Sequence, residues 1–269
     1  MKRLFLLLFL PLLLSAAEKD YFALFDFYPE ILGPLGENQE IEILLSDESI
    51  QKAEAIAEER LLKKGISSEL AKEWSRVGII NEDQYLYWVR DAVRFPSGAL
   101  GTYDRILWKS GLERPAGVGV LPVLPDGRIL VNLNYRHATR GWEVELPRGM
   151  RHVGESIEAA ACRELQEETG ATALELIYLG EISPDSGILS QPIPLFLGKV
   201  IAKAENAQDF SEAIAANDAY TLEELKDLFL RGSALVKIQG KLTKATVRDA
   251  FLAYALFQAE IRGCVKEWK

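Results

Sequence analysis

Apolar residues in the N-terminal part of the chain recur at the spacing of a helix. Those between Ile50 and Leu61 fall on one face of a predicted helix over residues 46–65, and a shorter helix is predicted over 67–77. This stretch contains no combination of residues that suggests catalysis. The pattern therefore predicts a mostly helical N-terminal extension over 18–88, with packing or dimerisation as its role.

Further along, the apolar runs become shorter and are separated by turn signals, which is typical of strands. Pro96-Ser97-Gly98 and Pro125-Asp126-Gly127 mark two of the turns. We predict strands over residues 89–95, 102–108, 117–124, 128–135, 142–146, 174–182 and 194–204.

A few well-separated helices accompany these strands. Ser156 is a suitable cap for the first helix, and Thr221 with Glu224 forms a capping box at the second. Strands interleaved with few helices indicate a mixed α/β (α+β) sandwich. The three predicted helices cover residues 156–169, 221–231 and 243–262.

The first seventeen residues have the organisation of a targeting segment. Lys2 and Arg3 precede an apolar run over 4–14, and Ser15-Ala16-Ala17 follows as a small-residue cleavage site. The run is shorter than the roughly 20 apolar residues that span a bilayer. We expect a signal peptide over 1–17, cleavage after Ala17, and a secreted or periplasmic protein without a stable membrane span; an uncleaved anchor is the alternative.

The amino-acid composition limits which partners and metal sites are expected. Acidic residues outnumber basic ones, 40 to 31, for a net charge of −9, so no nucleic-acid partner is expected. Two cysteines and two histidines are too few for a disulfide framework or a histidine-based metal site. Any metal ion would be held mainly by oxygen atoms, which favours magnesium, manganese or calcium.

A cluster of acidic residues lies on the predicted helix 156–169. Glu164, Glu167 and Glu168 stand at positions i, i+3 and i+4, which share one face of a helix. Their mutual repulsion becomes attraction when a divalent cation binds between them. Arg163 carries a permanent charge and can hold a neighbouring carboxylate in place.

These acids belong to a longer pattern. It begins at Gly149 and resembles the box that defines Nudix hydrolases, with Ala171 where a larger aliphatic residue is more common. The resemblance implies an αβα sandwich with a mixed sheet, and we assign residues 89–269 to this domain. The matching residues are Gly149, Glu155, Arg163, Glu164, Leu165, Glu167, Glu168 and Gly170.

The resemblance also implies roles for these side chains. Glu164 and Glu168 would be the principal ligands of Mg²⁺ or Mn²⁺, with Glu167 as a further or water-mediated ligand. Glu155 would support the metal cluster, and the backbone carbonyl of Arg148 would complete the coordination. Arg163 would orient a glutamate, and the metal ions would activate water for attack on phosphorus.

Three segments are similar to the ADP-ribose pyrophosphatase branch of the family. They are Asn134-Tyr135-Arg136 with the run Trp142–Gly149, the loop Ser183–Gly187, and the C-terminal end from Arg231. Arg148 replaces an alanine that is usual in this branch. The substrate implied is a small nucleotide with a pyrophosphate linkage, ADP-ribose or a nucleotide sugar.

Each candidate residue for substrate binding has two possible roles. Arg136 is a candidate for a diphosphate contact or a surface salt bridge, and Glu145 for binding a ribose hydroxyl or the arginine. Trp142 is a candidate for stacking on a base or for the core. For the general base we favour Glu212 over Glu205 and Asp209.

Two other functions remain open from the sequence. One is a Nudix hydrolase that acts on nucleoside triphosphates or dinucleoside polyphosphates. The other is a non-catalytic binding or effector protein with the same fold, although retention of three repelling acids argues against it. A homodimer is compatible with both, because members of this branch often share N-terminal strands between subunits.

Overall fold

A computed structural model describes residues 16–34, 36–112, 115–152, 154–201 and 213–268. Most of the predicted signal peptide, residues 1–15, lies outside these ranges, so export stays a prediction. None of the described helices is long and apolar enough to cross a membrane.

The chain divides into two compact units, Met1–Leu107 and Trp108–Lys269. The first unit contains three helices, and its strands form a small sheet in which β3 is bordered by β1 and β2 and also pairs with β4. Its elements are α1 (Ala16–Phe27), β1 (Glu42–Ile43), α2 (Asp47–Lys63), α3 (Ser68–Ser75), β2 (Gly78–Glu82), β3 (Leu86–Arg94) and β4 (Leu100–Trp108).

The two predicted N-terminal helices are confirmed as α2 and α3. Ser46 and Ser67 cap them, since each hydroxyl accepts a hydrogen bond from a backbone N–H of the first turn at 3.4 Å. The strands β2 and β3 also begin inside the region predicted to be mostly helical. The N-terminal unit is therefore a mixed structure, in which helices and a sheet share one core.

The second unit is built around a nine-stranded mixed sheet. Its main path runs β12-β13-β7-β6-β5-β10-β9, with β11 paired to β6 and β8 paired to β5. Strand β10 runs parallel to β5, whereas β6 is antiparallel to both β5 and β7. The strands are β5 (Gly117–Val123), β6 (Ile129–Arg136), β7 (Gly141–Glu145), β8 (Arg148–Met150), β9 (Thr172–Ile182), β10 (Ile193–Ile201), β11 (Ile214–Tyr220), β12 (Ser233–Ile238) and β13 (Lys241–Thr246).

Helices cover both faces of this sheet. Helix α4 (Ile157–Thr169) packs its Leu165 in one apolar cluster with Leu130 of β6. Helices α5 (Leu222–Arg231) and α6 (Ala250–Ile261) contribute to the other cluster, which contains Val131 and Leu133 of the same strand. Alternation along β6 thus separates the two cores, and the predicted αβα sandwich is confirmed.

The C-terminal segment differs from the prediction of one helix over 243–262. Its first residues form β13, which pairs with β12 and, at Thr246, with β7. The helix begins only at Ala250, where the Asp249 carboxylate accepts from the N–H of Phe251 at 3.4 Å and of Leu252 at 3.2 Å. A tertiary strand pairing and an internal cap override the helical spacing of the apolar residues.

Two leucines of strand β9 differ in burial, and this difference allows the packing of the sheet to be tested. Leu179 of β9 is completely buried in the cluster beside α6, whereas Leu174 of the same strand is 60% exposed. We expect Leu179→Ala to lower the free energy of unfolding by about 2–5 kcal/mol, because it leaves a cavity in the core. Leu174→Ala is the matched control and should change it by about 0.5 kcal/mol or less in urea titrations; equal losses would contradict this packing.

Candidate active site

Arg163, in the middle of α4, contacts three glutamates. Its Nε and Nη2 atoms each donate to Glu155 at 3.0 Å, and Nη1 donates to Glu164 at 2.7 Å and to Glu167 at 2.9 Å. Nη2 also donates to the backbone carbonyl of Met150 at 2.8 Å. One guanidinium therefore ties the loop before the helix to two acids on the helix itself.

This contact sets the protonation of the loop glutamate. Hydrogen bonds from Arg163 lower the pKa of Glu155 from 4.5 to about 2, assisted by the backbone N–H of His152. The carboxylates in turn raise the pKa of Arg163, with the bond to Glu155 as the largest cause. Glu155 therefore stays ionised to well below its ordinary pKa, and Arg163 stays charged.

Glu168 lies on the same helix but has different partners. Its Oε2 atom accepts hydrogen bonds from the Asn132 side chain and, at 3.1 Å, from the backbone N–H of Arg148. Asn217 of β11 donates to the Asn132 carbonyl oxygen at 2.8 Å and to the Glu168 backbone carbonyl at 3.1 Å. Glu168 is only 5% exposed, so these polar contacts hold it where it would otherwise be costly to bury.

Gly149 brings the backbone of β8 close to the acids. A Cβ atom added at this position would overlap the carboxyl carbon and both carboxylate oxygens of Glu164. Only a glycine allows the strand and the helix to approach this far. The backbone of β8 and the carboxylate of Glu164 therefore lie in direct contact.

The chemistry of these residues fits a hard divalent cation. Glu164 and Glu168 are nearly buried carboxylates beside the backbone of β8, and carboxylate oxygens suit Mg²⁺ or Mn²⁺. Within the described residues, no three Asp, Glu, His or Cys side chains are grouped closely enough to hold a metal ion by themselves. Glu155, Glu164 and Glu167 instead surround Arg163, which supplies the positive charge between them.

A chain of alternating charges lies next to this site. Arg136 pairs with Glu145 through Nη2 at 2.6 Å, and Arg148 lies 3.4 Å from Glu145 and 2.7 Å from Asp249. The Arg148 guanidinium also stacks over the Phe251 ring, 4.3 Å from its centroid. The chain links β6, β7 and β8 to the N-terminus of α6, and Arg148 faces away from Glu168 while its N–H binds that residue.

Asp249 anchors the end of this chain. It caps α6, accepts from the N–H of Leu146 at 3.3 Å and is almost completely buried. Burial is the largest effect on this carboxyl and raises its pKa, against the opposing charge of Arg148. The Arg148 side chain that replaces a small residue therefore has a matched partner in this chain.

The remaining predicted site residues are distributed unevenly. Arg136 and Glu145 are brought together as an ion pair on the face of β6 and β7 that carries Asn132. Trp142 is not on this face: it contacts Tyr135 edge to face at 5.4 Å and packs against the core cluster beside α5 and α6. Glu212, like Glu205 and Asp209, lies outside the described residues, so its role as base stays a prediction.

Sequence reasoning missed four residues that shape the site. Asn132, Asn217 and Asp249 are described above, and polar residues in otherwise apolar strands are the signal that could have indicated the two asparagines. The fourth is Arg151, which donates to the backbone carbonyls of Ser110, Pro115, His152 and Glu155 at 3.0–3.2 Å. These bonds fix the loop before α4 and engage the Arg151 guanidinium with backbone carbonyls.

The fold and the acid-bearing helix together define the class of this protein. A mixed sheet lies between helices, and a loop and helix gather glutamates around a single arginine. A family model described as the NUDIX domain matches residues 113–235, which include this loop and helix. Residues 113–235 of this chain therefore carry a NUDIX domain.

Similar proteins carry related names. ADP-ribose pyrophosphatase of Bacillus subtilis (strain 168) is 28% identical over 125 residues, which cover 44% of this chain and 68% of that protein. ADP compounds hydrolase NudE of Escherichia coli (strain K12) is 32% identical over 94 residues, which cover 34% of this chain and 46% of that protein. A crystal structure of an ADP compounds hydrolase has a TM-score of 0.53 and 21% identity, and the alignment covers 71% of this chain and 95% of that one. The structural match establishes a shared fold.

The close approach at Gly149 gives a first prediction for the site. We expect Gly149→Ala to lower the free energy of unfolding by about 1–3 kcal/mol, because the new methyl group displaces Glu164 or the strand. Gly141→Ala is the matched control, since a Cβ there would have only Thr139 as a neighbour, at 3.9 Å. Chemical denaturation measures both, and equal stabilities of the two variants would contradict the contact.

The shifted pKa of Glu155 predicts a pH-dependent contribution to stability. Because the pKa in the folded protein lies below the ordinary value, the pairing stabilises the fold fully above about pH 5. It is lost as the pH falls from 4.5 toward about 2. The stability difference between wild type and Glu155→Gln should therefore shrink between urea titrations at pH 6 and pH 3, and a constant difference would refute it.

Proposed function

We propose that this protein hydrolyses the pyrophosphate linkage of ADP-ribose or a related nucleoside diphosphate sugar, with Mg²⁺ or Mn²⁺ as cofactor. The observation that carries the proposal is the arrangement around α4, where Glu164 and Glu168 are buried beside the β8 backbone and Arg163 orients the neighbouring acids. The names of the similar proteins, an ADP-ribose pyrophosphatase and an ADP compounds hydrolase, support the substrate class.

Two glutamates would hold the metal ion most directly. Glu164 and Glu168 are the most buried of the acids, and Glu167 is more exposed, which suits a further or water-mediated ligand. When bound, the divalent cation would neutralise the pyrophosphate and lower the pKa of a bound water molecule. Glu155 and the backbone carbonyl of Arg148 complete the proposed set of oxygen donors.

The protein's own residues prepare this site without further rearrangement of the fold. Arg163 fixes the rotamers of Glu164 and Glu167, and Asn132 with the Arg148 N–H fixes Glu168. Donors that are oriented in advance lose little freedom when the ligand binds, which is the condition for tight binding and fast chemistry.

Arg136 is the residue we assign to the diphosphate. Its Nε and Nη2 atoms are engaged by Glu145, yet the side chain keeps 31% of its surface exposed. A carboxylate that holds the arginine in position also orients its permanent positive charge, which attracts an anionic group such as a diphosphate. For the proton acceptor we retain Glu212 as our proposal.

The proposal is tested by turnover and products. Incubation with ADP-ribose and Mg²⁺ should yield AMP and ribose 5-phosphate, and removal of the cation with EDTA should abolish the reaction. Glu164→Gln should lower kcat about a hundredfold or more, because the neutral amide no longer binds the cation as a carboxylate does.

The control keeps the same substitution on the same helix. Glu158 of α4 is exposed and takes no part in the acid cluster, so Glu158→Gln should retain wild-type kcat. Coupled phosphate-release assays should compare ADP-ribose with GDP-mannose, NADH and dinucleoside polyphosphates. No turnover of any of these with either metal ion would refute the proposal, and preference for a dinucleoside polyphosphate would reassign the substrate.

A further inference from the structure

Asn134 is a nearly buried polar residue whose side-chain amide has no hydrogen-bond partner among the described residues. It is 3% exposed and sits in the middle of β6, paired across the sheet with Glu143 on one side and Ile214 on the other. Its side chain makes no hydrogen bond within the described part of the chain. The other buried asparagine of the strand, Asn132, has both amide atoms engaged.

An unpaired amide in this position works against stability. Burying a polar group without a hydrogen bond is unfavourable, and an apolar β-branched residue would suit a buried strand better. Asn134 is not among the residues with a fully enclosed, unpartnered polar atom, so its side-chain amide keeps a small contact with solvent. Polar groups that weaken the fold in this way are typical of functional sites, where a ligand supplies the partner.

The strand register places Asn134 between two parts of the candidate site. Side chains two residues apart in a strand share a face, so Asn132, Asn134 and Arg136 project together, each about 7 Å beyond the last. Asn132 holds Glu168 at one end of this row, and the Arg136 side chain reaches back from the other end to Glu145, the cross-strand partner of Asn132. Asn134 therefore lies beside both the Arg136–Glu145 pair and the asparagine that holds Glu168.

The nature of the side chain indicates what it binds. A carboxamide is uncharged and offers both a donor and an acceptor, which matches a sugar hydroxyl and has no advantage for a phosphate. The neighbouring carboxylates cannot serve this purpose, because Glu143 is engaged by Arg248 at 2.8 Å and Glu145 by Arg136. Asn134 is the polar group on this row that remains available to a neutral ligand.

We infer that Asn134 is a specificity-determining residue that hydrogen-bonds a ribose hydroxyl of the substrate, an inference that rests on the proposed function. A ribose follows directly after the phosphates in a nucleoside diphosphate sugar, so it reaches the position next to the acids. The contact selects substrates with a hydroxyl at this point, and it acts on binding and orientation rather than on the proton transfers.

The test combines catalysis with stability. Asn134→Ala should lower kcat/KM for ADP-ribose about tenfold, as expected for one lost hydrogen bond. Analogues that each lack one 2′- or 3′-hydroxyl of either ribose locate the contact. For the analogue that lacks the contacted hydroxyl, wild type and variant should have the same kcat/KM. The variant should unfold at the same urea concentration as wild type or a higher one, because no protein hydrogen bond is removed.

Asn132→Ala provides the matched control. Its amide is bonded to Glu168 and Asn217, so this variant should lose stability and should lose activity equally on every analogue. If Asn134→Ala behaves in the same way, the residue is structural and the inference is overturned. Unchanged kcat/KM for ADP-ribose would overturn it as well.

Failure of the proposed function is distinguishable from failure of this inference. Wild-type turnover decides the proposed function, independently of any Asn134 variant. If the wild type hydrolyses no substrate in the panel, calorimetric titration with AMP measures the affinity of wild type and of Asn134→Ala for a ribose-containing ligand without turnover. Weaker binding of AMP to Asn134→Ala than to wild type then supports the contact, and equal or absent binding to both overturns it.

Discussion

The crowding of glutamates on α4 is the constraint to which the rest of the site responds. Three carboxylates, from Glu155, Glu164 and Glu167, meet within hydrogen-bonding distance of the Arg163 guanidinium, and without that charge they would repel one another. The same contact joins the loop before the helix to the helix itself. A single ion-pair network therefore sets the shape of the loop, the protonation state of Glu155 and the orientation of Glu164.

The remaining acid is held in a different way. Glu168 is oriented by the Asn132 amide and the backbone N–H of Arg148, groups that carry no formal charge. Glu155, Glu164 and Glu167 thus share the charge of one arginine, while the adjacent carboxylate of Glu168 is held by neutral hydrogen-bond donors. This division of roles explains why a hydrolase can keep repelling groups in a nearly buried place without losing its structure.

The sheet connects these local contacts to the whole domain. Strand β6 directs Val131 and Leu133 into the core beside α5 and α6, and directs Asn132, Asn134 and Arg136 toward the site. On the neighbouring strands, the pairs formed by Glu145, Arg148 and Asp249 extend the polar network to the cap of α6. The spacing between Glu168, which Asn132 holds, and the Arg136–Glu145 pair is therefore set by strand register, which changes only in steps of whole residues.

The sequence alone determined the features whose causes are local. The spacing of Glu164, Glu167 and Glu168 places them on one helical turn, and Ser156 and Gly170 define the ends of that helix as the structure has them. Alternation and turn signals likewise located most strands of the sandwich. The tertiary structure decided what depends on partners distant in the chain: Asn217 meets Asn132 across 85 residues, and Asp249 meets Arg148 across 101. It also ended the predicted C-terminal helix early, because pairing of β13 with β12 outweighs a periodicity that is visible only within the segment itself.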